Sequence, residues 1–208
     1  MMADLTSTAS SDFVATLSKA AVALRNRTGD RPSAKAVVNA LLQAEKAAKQ
    51  QRLTYPLESL LGHWQLCFTA PRQAHLKGGI ALGKGFYVPQ IAPAQISFGT
   101  PVSTSAQSSG QLEIGNQIQF GSLLFKLTGP AQYLGNKNLL AFEFNHMQLM
   151  LFGRTVYSGN FRGGKATATD FYHQPIAKLP FFAFFLVTEE FIAARGRGGG
   201  LALWVKET

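Results

Sequence analysis

Cysteine is nearly absent. Cys67 is the only one in 208 residues, so no internal disulfide can form and a reducing compartment is expected. Carboxylates are scarce as well: 11 Asp and Glu stand against 20 Lys and Arg, for a formal net charge of +9. Within 61–180 the only acids are Glu113, Glu143 and Asp170. They are too scattered in sequence to announce a catalytic pair, which weakens acid–base chemistry without excluding their convergence in space. The 4 histidines, at 63, 75, 146 and 173, lack metal-ligand spacing, and Cys67 has no neighbouring ligand, so no metal is expected. No serine sits in a nucleophile-elbow context. Long apolar runs are missing too. The longest, Leu179 to Val187 (LPFFAFFLV), is far short of the roughly 20 residues that span a bilayer. It reads as a buried strand in preference to a membrane-facing loop. The opening MMADLTSTASSDF has no basic n-region, no apolar h-region and no Arg-rich transit character. These absences point to a soluble or peripherally bound protein that is not an enzyme.

What the chain does have is apolar mass and turn residues. Hydrophobic residues make up 46%, and 16 of them are Phe, enough for a sizeable core or for the walls of a pocket. Residues 11–51 read as two helices. Phe13, Leu17, Ala20, Ala21 and Leu24 share one face behind Ser11 as N-cap, and Gly29 and Pro32 break the pattern. Val37, Val38, Leu41, Leu42 and Ala48 form a second stripe behind Ser33. After Pro56 the texture changes to short runs of twofold alternation between Gly, Pro, Asn and Ser. Strands are expected at 63–70, 86–91, 94–99, 110–115, 117–120, 122–128, 138–144, 147–152, 154–161, 167–172, 182–187 and 200–206. The expected architecture is mainly β: an antiparallel, lipocalin-like β-barrel spanning 59–208, behind a helical segment, 1–58, that covers one face or plugs one end.

Leu140, Phe142 and Phe144 share a face against Leu139, Ala141 and Glu143; Leu123, Phe125 and Leu127 oppose Leu124, Lys126 and Thr128. Such alternation makes an apolar interior, and both a packed core and a ligand cavity remain open. GGIALGKG at 78–85 has P-loop glycines and Lys84, but Gly85 replaces the magnesium-binding Ser or Thr, so a glycine-rich hairpin explains it better. The excess positive charge suits an anionic membrane surface or simply a basic soluble protein. ARGRGGGLALWVK (194–206) has an RGG-like start, but an RGG box needs repeats. Here the glycines lead straight into a strand, so nucleic acid is not the expected partner.

Two stretches carry a family resemblance. YPLESLLGHWQLCFTA (55–70) joins a helix end, Pro56 and Leu61-Gly62-x-Trp64 to an apolar strand. TEEFIAARGRGGGLALWVKE (188–207) joins paired acids, an apolar pair, Arg195-Gly196, a glycine turn and a closing strand. Together they resemble the plastid lipid-associated protein, or fibrillin, family of plastids and cyanobacteria. Phe68-Thr69 replaces the family's common Tyr-Thr, Ile192 fills a slot that often holds a second Arg, and Glu189 or Glu190 matches its acid near the barrel end. The resemblance implies that Gly62, Trp64, Arg195 and Gly196 close one end of the barrel, with Arg195 stacked on the Trp64 indole. Arg197 is then left facing solvent or an anionic membrane.

The same resemblance implies a binding or carrier protein for a lipid, carotenoid or prenylquinone, associated with photosynthetic membranes and photoprotection. It would sit in the cyanobacterial cytoplasm, peripherally on thylakoids, or in a plastid after processing. No cofactor is implied beyond such a ligand. The expected lining is Leu66, Phe68, Phe120, Phe125, Phe142, Phe144, Leu149 and Leu151, with Arg154 and Tyr157 as polar tips. The alternatives are a phycobilin lyase, which needs an acid-bearing pocket, and a scaffold that meets a protein partner through its N-terminal helices.

Overall fold

The computed structural model describes residues 4–72, 74–77, 80–100, 111–160 and 168–207. Two helices come first, α1 (Asp4–Arg25) and α2 (Ala34–Gln51). Helix α1 already runs through Ser11, which is therefore not its N-cap. Ser33 does cap α2, its side chain accepting from the Ala36 N–H at 3.2 Å, which satisfies one of the free donors of the first turn. The strands follow: β1 (Gly62–Ala70), β2 (His75–Lys77), β3 (Ile80–Leu82), β4 (Phe86–Tyr87), β5 (Ala94–Gly99), β6 (Leu112–Phe120), β7 (Leu123–Leu134), β8 (Leu139–Phe142), β9 (His146–Leu151) and β10 (Arg154–Asn160). Helix α3 (Ala168–His173) then precedes β11 (Phe181–Val187), β12 (Phe191–Gly196) and β13 (Leu201–Lys206).

Strands β7-β6-β5-β1-β13-β12-β11-β8 are antiparallel neighbours, and β8 returns to pair with β7. The sheet is thus a closed eight-stranded antiparallel barrel with two N-terminal helices on its outside. Closure leaves the barrel no free edge. Leu17, Ala20, Ala21, Val37 and Leu41 are fully buried against Phe68, Phe191, Leu201 and Leu203 of the outer wall. The alanines matter here because a small side chain lets a helix backbone lie close to a strand. Inside, Trp64, Phe98, Ile114, Leu140, Phe184 and Trp204 pack together. Phe182 stacks on Phe142 at 5.0 Å and meets Trp204 edge-on at 5.3 Å. The end where β1 begins is plugged by the tight turn Leu57–Ser59 and by Leu60.

Several strand boundaries differ from expectation, each for a physical reason. The segments 110–115 and 117–120 belong to a single strand, β6. Gly129 and Pro130 look like a stop signal, yet β7 runs through them. The main chain of Glu143 crosses so closely there that a Cβ on residue 129 would collide with its carbonyl oxygen. The Pro130 carbonyl still accepts from the Glu143 N–H at 3.1 Å. The predicted strand 86–91 shrinks to Phe86–Tyr87. The predicted strand 167–172 is instead the helix α3, whose Phe171 buries against Ala141 and Leu179. Strand β12 is absent from the predicted set because Phe191, Ile192, Ala193 and Ala194 are apolar on both faces. One face fills the barrel and the other lies beneath the helices, so no alternation survives to be read. LPFFAFFLV is the half-buried strand β11, paired on both sides.

Candidate functional site

The barrel's inner wall does not stop at the barrel. Strands β7 and β6 continue past it, and the register carries one face outward. Leu112 pairs with Ala131 and Ile114 with Gly129 inside; Asn116–Leu127, Ile118–Phe125 and Phe120–Leu123 follow outside. The chain from β8 to β9 stays beside β7, with one extra residue at Glu143–Asn145 as it changes from closing the barrel to widening the ribbon. Strand β10 then pairs along β9. The result is an arm built from the distal parts of β6, β7, β9 and β10.

The arm has two chemically distinct faces. Ile118, Phe125, Leu127, Met147, Leu149 and Tyr157 lie on the continuation of the inner wall. The opposite face carries Gln117, Lys126, Gln148 and Ser158 in one cross-strand row and Thr128, His146 and Asn160 in the next toward the barrel, while its row toward the tip, Gln119, Leu124, Met150 and Thr155, is mixed. His146 and Ser158 are hydrogen-bonded at 3.0 Å. Phe125, Leu127, Met147 and Leu149 are half-buried, whereas Phe120, Leu123 and Leu151 farther out are exposed. At the root, Phe144 and Leu66 join this face to the barrel interior.

The predicted lining residues therefore fall into three groups. Leu66, Phe142 and Phe144 line the barrel near its arm-bearing end. Phe120, Phe125, Leu149, Leu151, Arg154 and Tyr157 share the arm's inner face. Phe68 does not belong with them. A bulge between Leu66 and Phe68 reverses the alternation of β1 and turns Phe68 outward, fully buried beneath the helices and edge-on to Tyr87 at 5.1 Å. Ile118, Leu123, Leu127 and Met147 complete the face. Twofold alternation already places Leu123 and Leu127 beside Phe125, Ile118 beside Phe120, and Met147 beside Leu149; the register adds only that these strands meet in one face.

The closing residues are arranged differently from expectation. Trp64 is completely buried inside the barrel, and its indole N–H donates to the Leu60 carbonyl at 2.8 Å. The cation over its ring is Lys206, 5.2 Å from the centroid. Arg195 stands on the outer wall and cannot reach it. It forms a two-pronged pair with Glu45 of α2, Nε–Oε1 at 2.8 Å and Nη2–Oε2 at 2.5 Å, and donates to the Gly199 carbonyl. Odd and even positions of a strand face opposite ways, and Ile192 and Ala194, not Arg195, hold the inward parity of β12. Burial would push the Glu45 carboxyl up, but hydrogen bonds and charge from Arg195 and Lys49 hold it below its ordinary value. Arg197 is not free either: it donates to the Lys178 carbonyl at 2.5 Å. Gly62 has φ +118° and Gly196 opens the turn to β13, its N–H donating to the Gly200 carbonyl at 2.9 Å. Glu190 pairs with Arg25 at 3.2 Å.

The remaining candidates are weaker. The GGIALGKG stretch contributes β3 to the short β2–β3 pair, with residues 78 and 79 outside the described residues. Among the described residues, no group of three His, Cys, Asp or Glu stands together to hold a metal ion. No described helix is long and apolar enough to cross a membrane. A cleft of about 560 Å³ opens on the outer wall among Leu24, Arg25, Gln65, Gln90, Ile91 and Lys206. Its surroundings are polar: the Gln117 amide donates to Gln95, and Gln95 donates to Glu207. Burial pushes the Cys67 thiol up to about 12, which makes it a poor nucleophile. No protein-family model matches the chain, and a search of curated proteins finds no match.

Proposed function

We propose that the protein binds and carries a small hydrophobic molecule on the apolar face that runs from the barrel onto the arm. One observation carries this reading. The inner-wall pattern of Phe, Leu and Met continues past barrel closure, where no strand among the described residues lies opposite it. A soluble domain rarely leaves such a face unused. Phe125, Leu127, Met147 and Leu149 supply the apolar contact, and each ligand methylene buried there contributes about 0.8 kcal/mol. Tyr157 and Arg154 lie farther along the same face, placed to orient a polar or anionic end. The fibrillin-like motifs at the two ends of the chain favour a lipid, carotenoid or prenylquinone and a site of action at photosynthetic membranes.

The bilin-lyase alternative needs a carboxylate facing the ligand. Glu113 occupies the outward parity of β6, and Glu143 accepts from Gln174 at 3.4 Å. The carrier is therefore the better-supported reading. The direct test titrates a fluorescent polyene fatty acid against the full chain, then against Leu149→Asp and Phe125→Asp. Saturable binding lost in both variants is the expected result. Binding that is absent, or equal in all three proteins, overturns the reading. Organic extraction and mass spectrometry of protein from its natural host would then identify the ligand.

A further inference from the structure

We propose that the distal end of the arm is a membrane-docking element that seats in the headgroup region of an anionic bilayer. This goes beyond ligand carriage, because it concerns the two turns and the outermost row of that face, and Phe152 in the turn lets the two readings fail separately.

Two turns form the tip. Gly121–Ser122 joins β6 to β7 and Phe152–Gly153 joins β9 to β10; the Phe152 N–H donates to the Ser122 carbonyl at 3.0 Å, binding them side by side. Behind them Phe120, Leu123, Leu151 and Arg154 form one row across four strands. Phe152 and Gly153 have φ of +49° and +75°, the pattern of a hairpin turn that Asn-Gly fills most readily. A bulky residue in that conformation is strained. Packing does not compensate, since Phe152 is 78% exposed and Phe120 63%. Leu123, Leu151, Val156 and Tyr157 extend the exposed apolar surface. The fold thus bears both backbone strain and apolar exposure at its outermost point.

Charge selects the occupant. From Ile114 to Thr169 the sequence has one acid, Glu143, and it lies at the arm's root. Lys126 and Arg154 stand on the arm itself, Arg154 in the row next to Leu151. An apolar tip with a cation beside it, on strands whose only acid between Ile114 and Thr169 is Glu143 at the root, matches the boundary between acyl chains and anionic headgroups. Tyr belongs to that layer, and Phe and Leu are the side chains that interfacial elements bury beneath it.

The test is vesicle co-sedimentation of the full chain with phosphatidylcholine alone and with added phosphatidylglycerol. Stronger binding to the anionic vesicles is expected. Phe152→Asn should lower the partition coefficient about ten-fold. Because Asn tolerates positive φ, its melting temperature should hold or rise, so misfolding cannot explain the loss. Arg154→Glu should lower it about ten-fold on anionic vesicles and little on neutral ones. Phe152→Asn should still bind the polyene fatty acid in solution, which separates this proposal from the carrier reading. Wild-type protein that ignores both vesicles, or Phe152→Asn that binds as well as wild type, overturns it. So does self-association in ultracentrifugation that Phe152→Asn abolishes while vesicle binding persists, because the tip is then a contact between copies.

Discussion

Strands β6 and β7 pass through two different environments. Their barrel portions place Leu112, Ile114 and Ala131 among Trp64, Phe98 and Leu140, all buried. Their arm portions place Ile118, Phe120 and Leu123 on the same face, all exposed. The alternation is identical on both sides of Gly129. What differs is whether other strands close over the face. Apolar alternation therefore specifies which face is greasy, and barrel closure decides whether that face becomes core or contact surface.

The contrast can be broken most sharply at Trp64. Trp64→Ala should destabilise the fold by about 3–5 kcal/mol in a denaturant titration, since it empties a large volume in a wall that cannot collapse. Vesicle binding measured well below the new melting point should change little.

Glu45→Gln comes next. It removes the charge that neutralises Arg195 while keeping one acceptor, and about 1–2 kcal/mol of stability should be lost because the pair is only partly buried. The folded Glu45 carboxyl lies below its ordinary 4.5. Its contribution is thus present above that value and disappears as pH falls through the folded one, so wild type and variant should converge in acid.

At the alkaline end the sign reverses. Burial pushes Cys67, Tyr87 and Tyr133 up to about 12 from ordinary values of 9.0, 10.0 and 10.0. The folded state therefore keeps protons that the unfolded chain releases, and stability should decline from about pH 9 upward. Thermal melts across that range check this. Cys67 should react with a thiol reagent only after unfolding.

The smallest effect should come from the arm. Phe120→Ser should change stability by no more than about 0.5 kcal/mol, yet weaken vesicle binding. A loss comparable to that of Trp64→Ala would show that the arm is core after all and erase the contrast.

Much of the barrel was legible because β1, β5, β9, β11 and β13 carry their own turn signals and alternation. The helices were legible for the same reason, through Leu17, Ala20 and Leu41 at helical spacing. Two kinds of feature were not. Strand β12 was hidden because both its faces are buried. The reversal of Phe68 and the partner of Arg195 were hidden because each depends on a single residue of parity, which a bulge or an uncertain strand start changes without trace in composition. For the candidate site, alternation gave the apolar face itself. It could not say that half of that face lies outside the barrel, because strand length beyond closure is set by pairing between distant segments. The link from Asn138 to Leu53 and Tyr55, at 2.6 and 2.9 Å, was equally out of reach.

Strand β7 has no joint where it changes neighbourhood: one unbroken ladder with β6 runs from Leu123 to Ala131. Amide exchange along that single strand should then read as a gradient. Protons at Phe125 and Leu127 would be released by local fraying, and those at Ala131 and Tyr133 only when the whole molecule opens. A ligand or bilayer that quiets the arm would flatten the gradient from its fast end, leaving the slow end as a built-in reference.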